Sequence, residues 1–113
     1  MANKQSYLGE FEHVVLLTIL SLKDNAYGVS IRQQLKTSIA RDVSIGAIYT
    51  TADRLEKKGL IMSTKGEATP ERGGKAKRYF TVTALGKNEL GRIKKDLHIL
   101  WNNCAHSRCA IGA

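Results

Sequence analysis

Cysteine is nearly absent. The chain has two, Cys104 and Cys109, both close to its C-terminal end. Thiols placed there cannot staple a fold, so no disulfide framework is expected and the chain reads as a reduced, cytoplasmic protein. Proline occurs once, which excludes collagen-like and proline-rich classes despite ten glycines. The longest apolar stretch, Val14 to Leu20, is interrupted by Thr18 and is far too short to span a bilayer. The segment MANKQSYLGEFEH lacks the apolar run of a secretory leader, so none is expected. No Gly-rich phosphate loop, HExxH or GxSxG pattern occurs, so an enzyme is not expected. What remains is a globular balance, 42% hydrophobic and 25% charged, in 113 residues, one domain's length.

Acidic residues are scarce in one region only. The net charge is +8, from 18 basic and 10 acidic groups. Residues 1–53 carry five of each sign, and residues 96–113 carry only Asp96 and Arg108. The whole excess therefore lies between Arg54 and Lys95, where twelve basic groups face four acidic ones. Such asymmetry points to a polyanion, either nucleic acid or an anionic membrane surface. A lysine-rich surface kept charged for solubility is the plainer alternative.

The periodicity then sets out the elements. Residues 8–22 carry a wide apolar stripe at helical spacing, from Leu8 and Phe11 to Leu20 and Leu22. A second helix is predicted over Tyr27 to Thr37, capped by Asp24 or Asn25, with Tyr27, Ile31 and Leu35 inward. Gly28 costs that helix about 1 kcal/mol against alanine, which close packing on the first helix would explain. A third helix is predicted from the cap Ser44 to Lys58, stopped by Gly59. Ile45, Ile48, Ala52 and Leu55 form its inner stripe; the opposite face holds Gly46, Ala47, Thr50, Asp53, Arg54 and Lys57. Leu60–Lys65 and Arg78–Val82 read as two strands, with Tyr79 and Phe80 on opposite faces. The basic, glycine-rich loop between them exceeds the common hairpin length, so a mobile, functional tip is expected. Thr83 caps a last helix over 84–103 with the stripe Leu90, Ile93, Leu97, Leu100, Trp101 and Cys104.

The fold class expected is mainly α with a small antiparallel β-hairpin: a winged helix-turn-helix plus a C-terminal dimerisation helix. Three regions follow: a DNA-binding domain at 1–83, a dimerisation helix at 84–104 and a frayed tail at 105–113. Helices two and three have the helix-turn-helix order, the third being the recognition element. Small residues at its outer N-terminal end (Gly46, Ala47, Thr50) let a helix sink into the major groove. Ser44 and the free first-turn amides suit a phosphate. Tyr49 on the flank suits a phosphate contact or a core-edge aromatic. Thr50 and Thr51 suit phosphates or base edges, Arg54 suits a phosphate or a guanine, and Lys57 is a further basic DNA-binding candidate. On the hairpin, Lys65, Arg72, Lys75, Lys77 and Arg78 suit the minor groove or the sugar-phosphate chain.

These segments resemble a known family. YGVSIRQQL, VSIGAIYTTADRLEKKGLI and GEATPERGGKAKRYFTVTALGKNEL together resemble the short form of the PadR family of bacterial transcriptional regulators. The likeness runs from about Leu8 to Leu100. Its most specific parts are Tyr27-Gly28, Gly46-x-x-Tyr49, Leu55-Glu56-x-x-Gly59-Leu60 and Thr69-Pro70-Glu71-Arg72-Gly73-Gly74. The resemblance implies a homodimer on a partly palindromic operator, usually a repressor. It also implies response to small molecules, often phenolic acids or lipophilic cations and drugs. By position, Ser44, Gly46, Tyr49, Thr50 and Arg54 fall where the family meets DNA, and Lys75, Lys77 and Arg78 fall on its wing. Ala52 stands where a bulky leucine is usual, which would leave a gap under the recognition helix. The last helix is short for the family, and the tail with Cys104 and Cys109 has no counterpart in it.

The remaining expectations concern partners. Leu90, Ile93, Leu97, Leu100 and Trp101 are expected at a homodimer interface. The resemblance adds that Trp101 could stack on a small aromatic or cationic effector, a plain interface anchor being the alternative. Cys104, His106 and Cys109 do not have zinc spacing, so no metal and no cofactor are expected. A second function class stays open: a protein-interaction winged helix whose basic face binds an acidic protein. Membrane binding is not expected, since no segment pairs a basic face with a large exposed apolar one.

Overall fold

The computed structural model describes residues 8–66 and 77–106, with α1 at Glu10–Leu22, α2 at Gly28–Ile39 and α3 at Ile45–Lys57. Strands β1 (Ile61–Lys65) and β2 (Arg78–Val82) follow, then α4 at Ala84–His106. Loop residues 67–76, with Arg72 and Lys75, and tail residues 107–113, with Cys109, lie outside the described residues.

Local chemistry accounts for most boundaries. The Glu12 carboxylate accepts the Gly9 N–H at 3.0 Å and secures the first turn of α1. The next cap falls later than expected. Lys23–Asn25 form a single 3-10 turn, so Tyr27 becomes the N-cap of α2, and Ser30 Oγ accepts its N–H at 2.9 Å. Ser44 caps α3 by accepting the Ala47 N–H at 3.0 Å. Gly59 ends the following turn at φ +78°, a conformation that favours glycine.

The first three helices and the hairpin enclose one core of Leu16, Ile19, Ile31, Ile48, Leu55 and Phe80 with their smaller neighbours. Ala52 is fully buried within it. The strands pair antiparallel with Ile61 opposite Val82 and Lys65 opposite Arg78. Ala26 and Tyr27 lie along the outer edge of β2: the Phe80 N–H donates to the Ala26 carbonyl at 2.8 Å, and Tyr27 bridges Tyr79. Phe80 points into the core, while Tyr79 packs on Tyr27 with the rings tilted at 59° and their centroids 5.4 Å apart.

Two glycines are fixed by close approach. A Cβ on Gly28 would lie 2.8 Å from Tyr49 Oη, so its packing partner is the third helix, not the first as expected. A Cβ on Gly86 would collide with the Leu60 carbonyl oxygen and lie 2.7 Å from Val82 Cγ1. Thr83 reinforces that junction: its hydroxyl donates to the Gly59 carbonyl at 2.7 Å and accepts the Gly86 N–H at 3.1 Å. The first turns of α4 are therefore packed into the winged domain, across the boundary drawn at 83/84. From Lys94 to Asn103 every α4 residue is exposed. Among the described residues no helix is long and apolar enough to cross a membrane.

Candidate nucleic-acid interface

Helix α3 separates its two faces sharply. Ile48, Ala52 and Leu55 are fully buried, while Gly46, Ala47, Thr50, Asp53, Arg54 and Lys57 are exposed. At Gly46 only Ser44 Oγ, 4.0 Å away, comes near an added Cβ, so internal packing does not require glycine there. The exposed N-terminal end of the helix is thus narrow, and Ser44 beside it is exposed too.

Thr51, expected at phosphates or base edges, and Tyr49, expected on the flank, are turned inward. Thr51 is only 6% exposed, which removes it from phosphates and base edges. It lies three residues after Ile48 and four before Leu55, on the buried stripe. Tyr49 puts its ring into the seam between α2 and β2, 6.2 Å from the Phe80 ring centroid and directly over Gly28. Its packing is that of a core-edge aromatic.

The wing root stands beside this face. Lys65 is exposed, and Lys77 holds its ammonium 3.8 Å above the Tyr27 ring, a cation–π contact. Gly66 N–H donates to the Lys77 carbonyl at 2.7 Å, and Tyr79 packs so closely on Gly66 that a Cβ there would lie 2.6 Å from its ring. Arg78, expected to reach DNA, is instead tied to α3. Its Nη2 lies 2.9 Å from Asp53 Oδ1 and 2.9 Å from Glu56 Oε1. Burial works against the Arg78 charge, but hydrogen bonds to Asp53 and Glu56 outweigh it and raise its pKa. Sequence reasoning missed this cluster. The available signal was the three-residue spacing of Asp53 and Glu56, which puts both carboxylates on one helix face.

A second surface involves α1 and α4. Leu90, expected between protomers, is 6% exposed and packed into its own chain. Ile93 is half-buried, whereas Leu97, Leu100 and Trp101 are exposed, Trp101 at 55%. Leu17 of α1 and Ile99 of α4 are exposed apolar residues on the same helices that the sequence reading left out. Between α1 and α4 runs an open groove of about 660 Å³, with Leu17, Leu20, Leu97 and Trp101 along it and His13, His98, Lys87 and Lys94 among its lining.

The comparisons with known proteins agree with this architecture. Residues 16–92 match the model of the transcriptional regulator PadR-like family. An uncharacterised protein of Lysinibacillus sphaericus is 33% identical over 90 residues, 78% of each chain. Among solved structures, a PadR-like transcription factor from Bacteroides fragilis is similar with a TM-score of 0.73 and 25% identity, covering 85% of this chain and 87% of that one. A PadR-like transcriptional regulator from Bacillus cereus has a TM-score of 0.68 at 23% identity, covering 89% and 93%.

Proposed function

Since this chain belongs to the PadR-like family of transcriptional regulators, we propose that it acts as a homodimeric, ligand-responsive repressor on a partly palindromic operator. As a family member it is a DNA-binding regulator with a winged helix. The observation that carries the finer reading is the outer face of α3. It is small and polar at Gly46, Ala47 and Thr50, basic at Arg54 and Lys57, and exposed throughout. In this reading α3 enters the major groove, with Ser44 toward a phosphate and Thr50 and Arg54 toward base edges. Lys65 and Lys77, together with Arg72 and Lys75 of the loop, follow the backbone or the minor groove.

The exposed end of α4 supports the dimer. Leu97, Leu100 and Trp101 present an apolar stripe that a lone chain leaves in water, and a second α4 would cover it. Pairing there would set two recognition helices about 34 Å apart, one duplex turn. In this reading the groove beside Trp101 takes a small aromatic or cationic effector. Such a ligand releases DNA only if it binds the DNA-incompetent spacing more tightly.

Fluorescence anisotropy with DNA from upstream of the protein's own gene tests this, against a shuffled duplex of equal length at several salt concentrations. The expected result is tighter binding to the native fragment, with both affinities falling steeply in salt. Arg54→Ala or Thr50→Ala should cost about 1–3 kcal/mol and relax preference at one position. Lys77→Ala should weaken all duplexes alike and lower the salt slope by about one. Equal binding of both duplexes would leave no operator at that locus.

A further inference from the structure

A helix that enters a groove of DNA meets phosphates on both sides, so carboxylates on its outer face oppose binding. Helix α3 carries Asp53 there and Glu56 three residues on, at the flank toward the strands, both exposed. Left free, they would stand beside Arg54 and Lys57 and oppose them. Arg78 reaches them from β2, and the strand geometry explains why. Arg78 and Phe80 are two residues apart and share the face of β2 that packs on α3. Phe80 is buried under the helix, and the Arg78 guanidinium carbon lies 5.0 Å from its ring centroid. From there Nη2 sits 2.9 Å from each carboxylate. The partner strand joins the same cluster, because Ser63, paired with Phe80 in the sheet, donates its hydroxyl to both Glu56 oxygens at 3.1 and 3.2 Å. Three elements thus meet at one cluster: the recognition helix and both strands of the wing.

We propose that Arg78 is a positioning residue for DNA recognition and not a phosphate contact: with Glu56, Asp53 and Ser63 it clamps the wing root to α3 and holds two carboxylates back from the DNA. The inference rests on the DNA-binding reading and assigns Arg78 a different job within it. A phosphate contact strengthens binding to every duplex alike. A clamp fixes the angle between wing and recognition helix, so its loss erodes the preference for one sequence over another.

The test compares Arg78→Ala, Glu56→Gln and the double variant, each first checked for folding by circular dichroism. Two readouts are taken. The first is the ratio of affinities for the native upstream duplex and its shuffled control. The clamp predicts that each single variant lowers this ratio by about fivefold, the size of one ion-pair network. The double variant should lower it no further, because both changes break the same clamp. It also predicts an unchanged salt slope for Arg78→Ala. A phosphate contact predicts a kept ratio, a slope lower by about one, and Glu56→Gln tightening both duplexes equally; that pattern overturns the proposal. The second readout needs no DNA. Amide hydrogen exchange at Ser63–Lys65 should speed up several-fold in both single variants relative to the α1 core. Unchanged exchange overturns the clamp, whereas clamp-like exchange in a protein that binds neither duplex overturns the DNA reading alone.

Discussion

The molecule leaves two surfaces unfinished, and they differ in kind. The surface built from α3 and the wing root is small and polar at one end and basic at the other, with its acidic groups tied back by Arg78. The surface built from α1 and the far half of α4 is apolar, with Leu17, Leu97, Leu100 and Trp101 exposed along or beside one groove. A single core supplies the inner face of both. The contrast teaches a division of labour: a surface of backbone-sized and cationic groups suits a polyanion, and a surface of bare leucine and tryptophan suits another apolar face. The first half of α4 joins the two, since Gly86 and Leu90 are buried in the winged domain while Lys94 to Asn103 are exposed.

Breaking that joint should have the largest effect. Gly86→Val places a branched side chain against the Leu60 carbonyl and Val82, where neither backbone nor core has room. A loss of about 3 kcal/mol or more in urea unfolding is expected, with both surfaces failing together. A stable Gly86→Val variant would mean that α4 is not locked to the wing root. A smaller, selective effect is expected at the apolar surface. Leu100→Glu should weaken self-association at least ~100-fold by sedimentation velocity, while urea unfolding of the monomer stays nearly unchanged. Wild-type protein that sediments as a monomer at micromolar concentration would remove the partner assigned to that surface.

How much of this was legible in the sequence depended on distance along the chain. The α3 boundaries were readable because Ser44 and Gly59 act within a turn of themselves. The two strands were readable because their residue types and turn-rich flanks are local signals, and β2 begins and ends where the sequence placed it. The inward position of Thr51 is also encoded in the spacing from Ile48 and Leu55, although its hydroxyl is equally suited to a phosphate. What stayed hidden were contacts between distant residues. Gly28 answers to Tyr49, Asp53 to Arg78, and Ser63 to Glu56. Leu90 belongs to the same periodic stripe as Leu97, and no periodicity marks where a helix leaves its own domain.

The smallest expected effect concerns the polar link between the two surfaces. Glu12 of α1 accepts the Lys58 ammonium at 2.8 Å, just past the end of α3, and its side chain is only 13% exposed. Burial pushes the Glu12 carboxyl up, but hydrogen bonds from Lys58 and the Gly9 N–H outweigh it and hold its pKa below the usual carboxylate value. A carboxyl depressed in the folded state contributes stability that is fully present above its unfolded pKa of about 4.3. That contribution is lost as pH falls through the lower folded pKa. Glu12→Gln should therefore cost about 1 kcal/mol at pH 7, and the difference from wild type should shrink below about pH 4. Urea unfolding of both proteins across that range checks the sign. A gap that widened on acidification would mean that the buried carboxyl is held in its neutral form, and that Lys58 does not join α1 to the recognition helix. Because the pair is polar and local, DNA preference and self-association should both survive the substitution, which separates this link from the Gly86 joint.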